Sequence, residues 1–198
     1  RDLLAALAAT IAHRGPDGEG VHVDGPVALG HRRLSIIDLS EAAGEPMTNE
    51  DGSLWLTFNG EVYNFREIRK GLEARHRFRS RSDGEVILHL YEEKGCAAVA
   101  KLDGMFAFAL WDARKRRLLL GRDRAGKKPL FYHDGPRLFA FASEAKALLP
   151  FLPAIETDVE GLRDYLTFQF CLDGKTMFRG VRELPAGRIL GYGESRPL

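Results

Sequence analysis

Apolar residues along the chain follow two rhythms. Leu3, Leu4, Leu7 and Ile11 recur at helical spacing after Asp2, a potential N-cap, and Gly15-Pro16 breaks the pattern; a helix is predicted to about Arg14. Val21-His22-Val23 and Val27-Ala28-Leu29 flank Asp24-Gly25, which predicts a hairpin whose second strand continues through Leu34-Ser35-Ile36-Ile37. Leu54 to Phe58 predicts a strand ending at Asn59-Gly60, followed by a helix from Asn64 with Glu67 as its capping-box partner. Ser82-Asp83-Gly84-Glu85 repeats that start signal ahead of the stripe Val86, Ile87, Leu90 and Tyr91, and Gly95 closes it. Met105–Trp111 and Leu118–Leu120 form a second hairpin around the polar turn Asp112 to Arg117. A strand over Leu138–Phe141, a short helix from Ser143, a helix from about Asp158 to Phe168 and a Gly/Pro-punctuated tail complete the reading.

Leu54–Phe58 and Met105–Trp111 are apolar nearly throughout, as in strands covered on both faces. Hairpin pairs favour antiparallel sheets. Interspersed helices then predict an α+β fold layered helix–sheet–sheet–helix, a four-layer αββα sandwich of two mainly antiparallel sheets.

Composition narrows the function. A chain of 198 residues buries about 70% of its unfolded surface, enough for one substantial core. Lys plus Arg (29) nearly balances Asp plus Glu (28), which argues against a dedicated nucleic-acid binder. No apolar run is long enough for a membrane span, and no signal peptide opens the sequence. Two cysteines, Cys96 and Cys171, make neither a zinc constellation nor a disulfide framework, so a reducing, cytoplasmic compartment is expected.

Three short segments could carry chemistry, and each also has a purely structural reading. Arg33 within Arg33-Leu34-Ser35-Ile36-Ile37-Asp38 is either a solvated strand residue or a bidentate clamp for a carboxylate. Asn59-Gly60-Glu61 reads first as a type I′ hairpin turn, and alternatively as a two-donor oxyanion hole made by the Asn amide and a backbone N–H. Asp83 sits in a capping box, or joins Glu61 in holding an ammonium. One cation and two anions are what a free α-amino acid requires. His13, His31, His76, His89 and His133 show no ligand spacing and read as structural or exposed, so no metal site is assigned. Arg75–Arg81 alternates basic with other residues and reads as a charged edge strand; Arg114–Arg117 reads as a hairpin tip.

Taken together the segments are far more specific. His13-Arg14-Gly15-Pro16-Asp17-Gly18, Gly30-His31-Arg32-Arg33-Leu34-Ser35-Ile36-Ile37-Asp38, Pro46-Met47, Phe58-Asn59-Gly60-Glu61-Val62-Tyr63-Asn64 and Ser82-Asp83-Gly84-Glu85 appear in order. Gly104 to Asp112, Gly121-Arg122-Asp123-Arg124, Lys128 to Tyr132 and Ala142 to Leu148 follow. Over almost its whole length, residues 1–198, the chain resembles the glutaminase domain of glutamine-hydrolysing asparagine synthetases, a class II, N-terminal-nucleophile glutamine amidotransferase. The resemblance implies an Ntn-hydrolase-like fold and L-glutamine as substrate. Arg33 would bind its α-carboxylate, Glu61 and Asp83 its α-ammonium, and backbone near Leu34 and Ile36 would line the pocket. Asn59 and the Gly60 N–H would form the oxyanion hole.

The family's nucleophile is a cysteine at the mature N-terminus, activated by its own α-amine. The sequence departs from the family in three respects. It begins at Arg1, inside the expected first helix, so the cysteine-bearing strand is expected to be missing and the 198 residues alone to be inactive. Glu45 stands before Pro46-Met47 where the family usually has Gln. The sequence ends where a C-terminal, ATP-dependent synthetase domain is expected; that domain would bind ATP and Mg²⁺, leaving none for this one, and would use the ammonia to make asparagine from aspartate. A homodimer is compatible with the resemblance; nucleic-acid and membrane partners are not expected. The alternative function is an inactive scaffold or binding module, as in β-lactam-synthetase-like proteins.

Overall fold

The computed structural model describes residues 2–35 and 37–193. The helices are α1 (Asp2–Ala9), α2 (Phe65–Leu72), α3 (Glu85–Lys94) and α4 (Val159–Phe168). The strands are β1 (Gly18–Asp24), β2 (Val27–Arg33), β3 (Met47–Thr48), β4 (Leu54–Val62), β5 (Gly104–Asp112), β6 (Arg117–Arg122), β7 (Phe131–Asp134), β8 (Phe139–Ala142), β9 (Arg182–Glu183) and β10 (Ile189–Gly193). Among the described residues every strand pair is antiparallel.

The central layer is the sheet β10-β6-β5-β4-β3. Its side chains alternate between two cores because successive strand residues point to opposite faces. Leu54, Leu56, Phe58, Phe106, Phe108, Leu110 and Leu119 pack with Val86, Ile87, Leu90 and Tyr91 of α3 and Leu72 of α2. Trp55, Ala107, Ala109, Trp111, Leu118 and Leu120 face the other way, onto Leu29, Tyr132, Phe139 and Phe141 of a second strand layer. That layer is in two pieces, β1-β2 and β8-β7-β9. α1 packs on β2, and a 3-10 helix over Ala145–Phe151 covers β7 and β8. The predicted αββα order is therefore present, with the doubly covered strands β4 and β5 at its centre.

Several predicted boundaries move. α1 stops at Ala9, where Thr10 and Ile11 N–H groups turn onto Leu7 and Ala8 carbonyls, and a separate 3-10 turn spans Ala12–Arg14. The capping role expected of Asp2 lies outside the described side chains. The first hairpin turns on Gly25-Pro26, one residue later than expected, with Gly25 at φ +53°. β2 ends at Arg33 rather than running on to Ile37: its partner β1 starts at Gly18, opposite Arg33, just after Pro16-Asp17. Asn64 does not cap α2; its amide instead bridges Lys101 and Asp103. The 75–81 segment forms no strand, because carboxylates occupy its N–H groups: Glu50 accepts from Arg77, and Glu85 from Arg79 and Ser80. Among the described residues no helix is long and apolar enough to cross a membrane.

Candidate active site

A cavity of about 1570 Å³ opens between the central sheet and the split strand layer. It is lined by Arg33, Leu34, Asn59, Gly60, Glu61 and Asp83, so every described candidate residue faces the same space. Ile36, the remaining candidate, lies outside the described residues.

β4 delivers three of these positions. The chain does not turn at Asn59-Gly60, as the dipeptide alone suggests. It continues as strand, pairing Asn59 with Ala107, Gly60 with Phe106 and Glu61 with Met105. The turn comes only after Val62, where the Tyr63 N–H reaches the Asp103 carbonyl at 2.7 Å. Gly60 makes this passage possible. Its φ is +153°, and a Cβ there would lie 2.1 Å from the Met105 carbonyl oxygen. Gly60→Ala should therefore lose the 1–3 kcal/mol typical of such a backbone conformation, and more from the clash. Chemical denaturation checks this; a loss under about 0.5 kcal/mol would mean that β4 relaxes without cost.

Asp83 is held by the approach to α3. Its Oδ2 accepts from the Val62 N–H at 2.7 Å, tying it to the end of β4. The expected capping box around it is rearranged. Ser82 Oγ accepts from Gly84, while Glu85 reaches past Ser82 to the Ser80 N–H and hydroxyl. Asp83 thus remains at the cavity wall, 5% exposed. Burial raises its pKa against the lowering effect of the Val62 N–H, and nearby Glu61 raises it further.

Arg33 ends β2 and braces the following loop. Its guanidinium donates to the Asp38 carbonyl and, at 3.0 Å, to the Ser40 carbonyl. Asp38 in turn accepts from the Ser40 and Arg81 N–H groups, which lower its pKa, Arg81 the more strongly. The segments 37–40 and 79–83 are thereby joined into one wall. Asp17 supports it from behind by accepting from the Ser35 N–H at 2.8 Å. Gly15 lets this segment approach β2: a Cβ there would sit 2.3 Å from the Arg32 carbonyl.

Two cavity residues carry roles that the motifs did not reveal. Glu45 keeps about 10% of its side-chain surface, and its Oε2 accepts from the Phe58 N–H and lies 3.2 Å from His31 Nδ1. Burial lifts Glu45 to a pKa of about 8, Asp83 adding to the rise and Arg33 opposing it. Burial, assisted by Arg33, presses His31 down to about 4. With Glu45 protonated and His31 neutral at pH 7, their 3.2 Å contact is between uncharged groups rather than a salt bridge. The sequence signal was Glu45 itself, which departs from the Gln of the resembling family.

Other motif residues build the frame. Glu144 accepts from His13 and Arg14, docking the 3-10 turn onto the segment after β8. Asp123 accepts from the N–H groups of Phe106, Ala125, Lys127 and Lys128, and Arg122 donates to the carbonyls of Gly126, Lys128 and Leu184. Cys96 packs against the helical core and Cys171 donates to the Gly161 carbonyl; neither lines the cavity.

A guanidinium and two mutually repelling carboxylates around one cavity, beside an Asn amide in a strand, suit a zwitterionic amino acid with a polar side chain. The layered fold is that of Ntn-hydrolase glutamine amidotransferases. Glutamine phosphoribosylpyrophosphate amidotransferase from B. subtilis shares it, with a TM-score of 0.67 at 20% sequence identity, over 95% of this chain and 43% of that one. A family model described as a glutamine amidotransferase domain matches residues 1–196. Asparagine synthetase [glutamine-hydrolyzing] 2 of Bacillus subtilis (strain 168) is 42% identical over 194 residues, covering 95% of this chain and 26% of that protein. Amidase chry2 of Gibberella zeae is 37% identical over 182 residues, covering 91% of this chain and 27% of that protein. The chain belongs to the glutamine amidotransferase domain family. It spans about a quarter of the length of the curated relatives it matches.

Proposed function

We propose that this domain hydrolyses L-glutamine to glutamate and ammonia, and that a synthetase domain of the same protein consumes the ammonia in ATP-dependent amide synthesis, with aspartate as acceptor. ATP and Mg²⁺ would bind in that part rather than in residues 1–198. The observation that carries the reading is the uninterrupted passage of β4 through Asn59-Gly60-Glu61 into a cavity shared with Arg33 and Asp83. A hairpin tip would explain the sequence Asn-Gly; a glycine forced into mid-strand against Met105 is better explained by what it exposes.

In this reading Arg33 uses its remaining N–H groups for the α-carboxylate, and its two loop contacts hold it in place. Glu61 and Asp83 take the α-ammonium. Burial, with a smaller contribution from Glu61, raises the proton affinity of Asp83, and a bound ammonium would favour its ionised form. The side-chain amide then reaches Asn59 Nδ2 and the Gly60 N–H. The nucleophile is a cysteine that residues 1–198 do not include. Its thiolate adds to the amide carbon, the C–N bond breaks, ammonia leaves with the proton taken up by the cysteine's α-amine, and water hydrolyses the thioester to glutamate.

Steady-state glutamate release by a full-length, cysteine-initiated protein tests the assignment. Arg33→Ala should raise KM for glutamine by about 10- to 100-fold, the value of a lost charge-assisted hydrogen bond. Arg33→Lys should recover only part of it, because Lys lacks the planar fork. An Arg33→Ala enzyme with unchanged KM would leave Arg33 as a loop brace only.

A further inference from the structure

On the helical side of the central sheet, three segments converge on a point that the cavity chemistry does not use. Glu50 lies just after β3, His76 follows α2, and His89 and Glu92 lie one turn apart on α3. His89 Nδ1 is 2.9 Å from Glu92 Oε2 and 3.6 Å from Glu50 Oε2. His76 Nδ1 is 3.3 Å from the same Glu92 oxygen and 3.9 Å from Glu50 Oε1. One ligand atom from each residue falls within 4.8 Å of all the others. A tetrahedral Zn²⁺ with bonds of 2.0–2.2 Å places its ligands about 3.3–3.6 Å apart. With one oxygen taken from each carboxylate, the separations of 2.9 and 3.3 Å to Glu92 Oε2 and 3.6 Å to Glu50 Oε2 bracket that value, while His76 lies nearer the other Glu50 oxygen, at 3.9 Å.

The surroundings match a metal site as well. A metal-bound histidine turns its other ring nitrogen to a carboxylate, carbonyl or water. Here His76 Nε2 faces Glu93 Oε1 at 3.3 Å, and His89 Nε2 faces Glu85 Oε1 at 3.8 Å. The latter nitrogen is buried and has no hydrogen-bond partner. Asn49 Nδ2 holds the second oxygen of Glu92 at 2.8 Å, and the Arg77 N–H donates to Glu50 at 2.7 Å. Each imidazole therefore has carboxylates at both nitrogens. A neutral ring can donate to only one of them, and its lone pair repels the other. Two imidazolium ions would remove that conflict, but would set two cations side by side with ring centroids 4.8 Å apart, one of them on a side chain only 1% exposed. A cation that takes both Nδ1 lone pairs and leaves both Nε2–H groups facing Glu85 and Glu93 removes it without that cost.

We propose that Glu50, His76, His89 and Glu92 form a binding site for a divalent transition-metal ion, with Zn²⁺ as the best fit. Two carboxylates and two neutral imidazoles neutralise a dication, and four protein ligands leave no open position, as in structural rather than catalytic zinc sites. The ion would fasten the turn after β3 and the 73–82 loop to α3. Because that loop leads directly into Asp83, the ion would also stiffen one wall of the cavity.

The test is Zn²⁺ titration of the full-length, tag-free protein after chelator treatment and dialysis, read by bound metal per chain and by thermal unfolding. The expected result is one tight equivalent that raises the melting temperature, with Co²⁺ giving the intense visible bands of four-coordinate geometry. Glu50→Gln and His76→Asn, chosen because His89 is too buried to change safely, should each weaken binding of that equivalent by 100-fold or more while remaining folded. Glu93→Gln, outside the ligand set, should weaken it by about 10- to 100-fold. No tight equivalent in the parent protein, or affinity within tenfold of the parent in either ligand variant, would overturn the site.

Discussion

Asn59→Ala in a full-length, cysteine-initiated protein should lower the glutamine-dependent kcat by about 10²–10³, or roughly 3–4 kcal/mol, the usual cost of removing one oxyanion donor. The donor acts on charge that exists only after the thiolate has added, so the loss belongs to kcat, and KM should change by much less. Asn59 sits in the paired interior of β4, opposite Ala107, so truncating its side chain leaves the strand in place. Arg33→Ala should show the converse pattern, a KM effect. Synthesis from free ammonia should survive both substitutions because it bypasses the cavity. A kcat within a few-fold of the parent would reduce Asn59 to a strand residue.

Glu45→Gln should reshape the pH dependence of stability. The Glu45 carboxyl is raised from 4.5 in the unfolded chain to about 8 in the fold. Above pH 4.5 the unfolded state therefore ionises while the folded state keeps its proton, and this contribution to stability is lost progressively as pH rises toward 8. His31 works in the opposite sense. Its pKa is lowered from 6.5 to about 4, so its contribution is complete above 6.5 and is lost as pH falls toward 4. Between pH 4.5 and 6.5 the two slopes cancel; above 6.5 only Glu45 acts and stability falls. Gln at position 45 keeps the shape of the neutral acid and cannot ionise. At about 1.4 kcal/mol per tenfold change in proton affinity, the stability of Glu45→Gln relative to the parent should rise on the order of 4 kcal/mol from pH 5 to pH 8. Urea denaturation across that range measures it. Parallel curves would mean that Glu45 is already ionised in the neutral fold, as a true ion pair with His31.

The layers were legible in the sequence because β4 and β5 are apolar on both faces, which only a doubly covered sheet tolerates. α3 and the hairpin at Asp112–Arg117 were legible from local signals alone. What sequence could not supply depends on partners distant in the chain. β4 runs past Asn59-Gly60 because β5 continues to pair with it, and no local rule reports that register. The 75–81 segment alternates like a strand, yet Glu50 and Glu85 claim its N–H groups. The short strand β7 pairs with β8 on one side and β9 on the other, so the few residues of β7 and β9 carry little signal of their own. The candidate cavity residues were found through motifs whose structural readings were individually stronger. Glu45 and His31 acquire their character only from mutual burial, and His76 meets His89 only because the 73–82 loop folds back along α3.

The most direct measurement of the central claim is the release of glutamate and ammonia from L-glutamine by the full-length, cysteine-initiated protein, set beside the same protein with that cysteine changed to alanine. The account predicts equimolar glutamate and ammonia from the first protein and none above background from the second, with ammonia-dependent synthesis equal in both. Equal glutamate release from the two proteins, or none from a folded cysteine-initiated protein that still carries out ammonia-dependent synthesis, would contradict it.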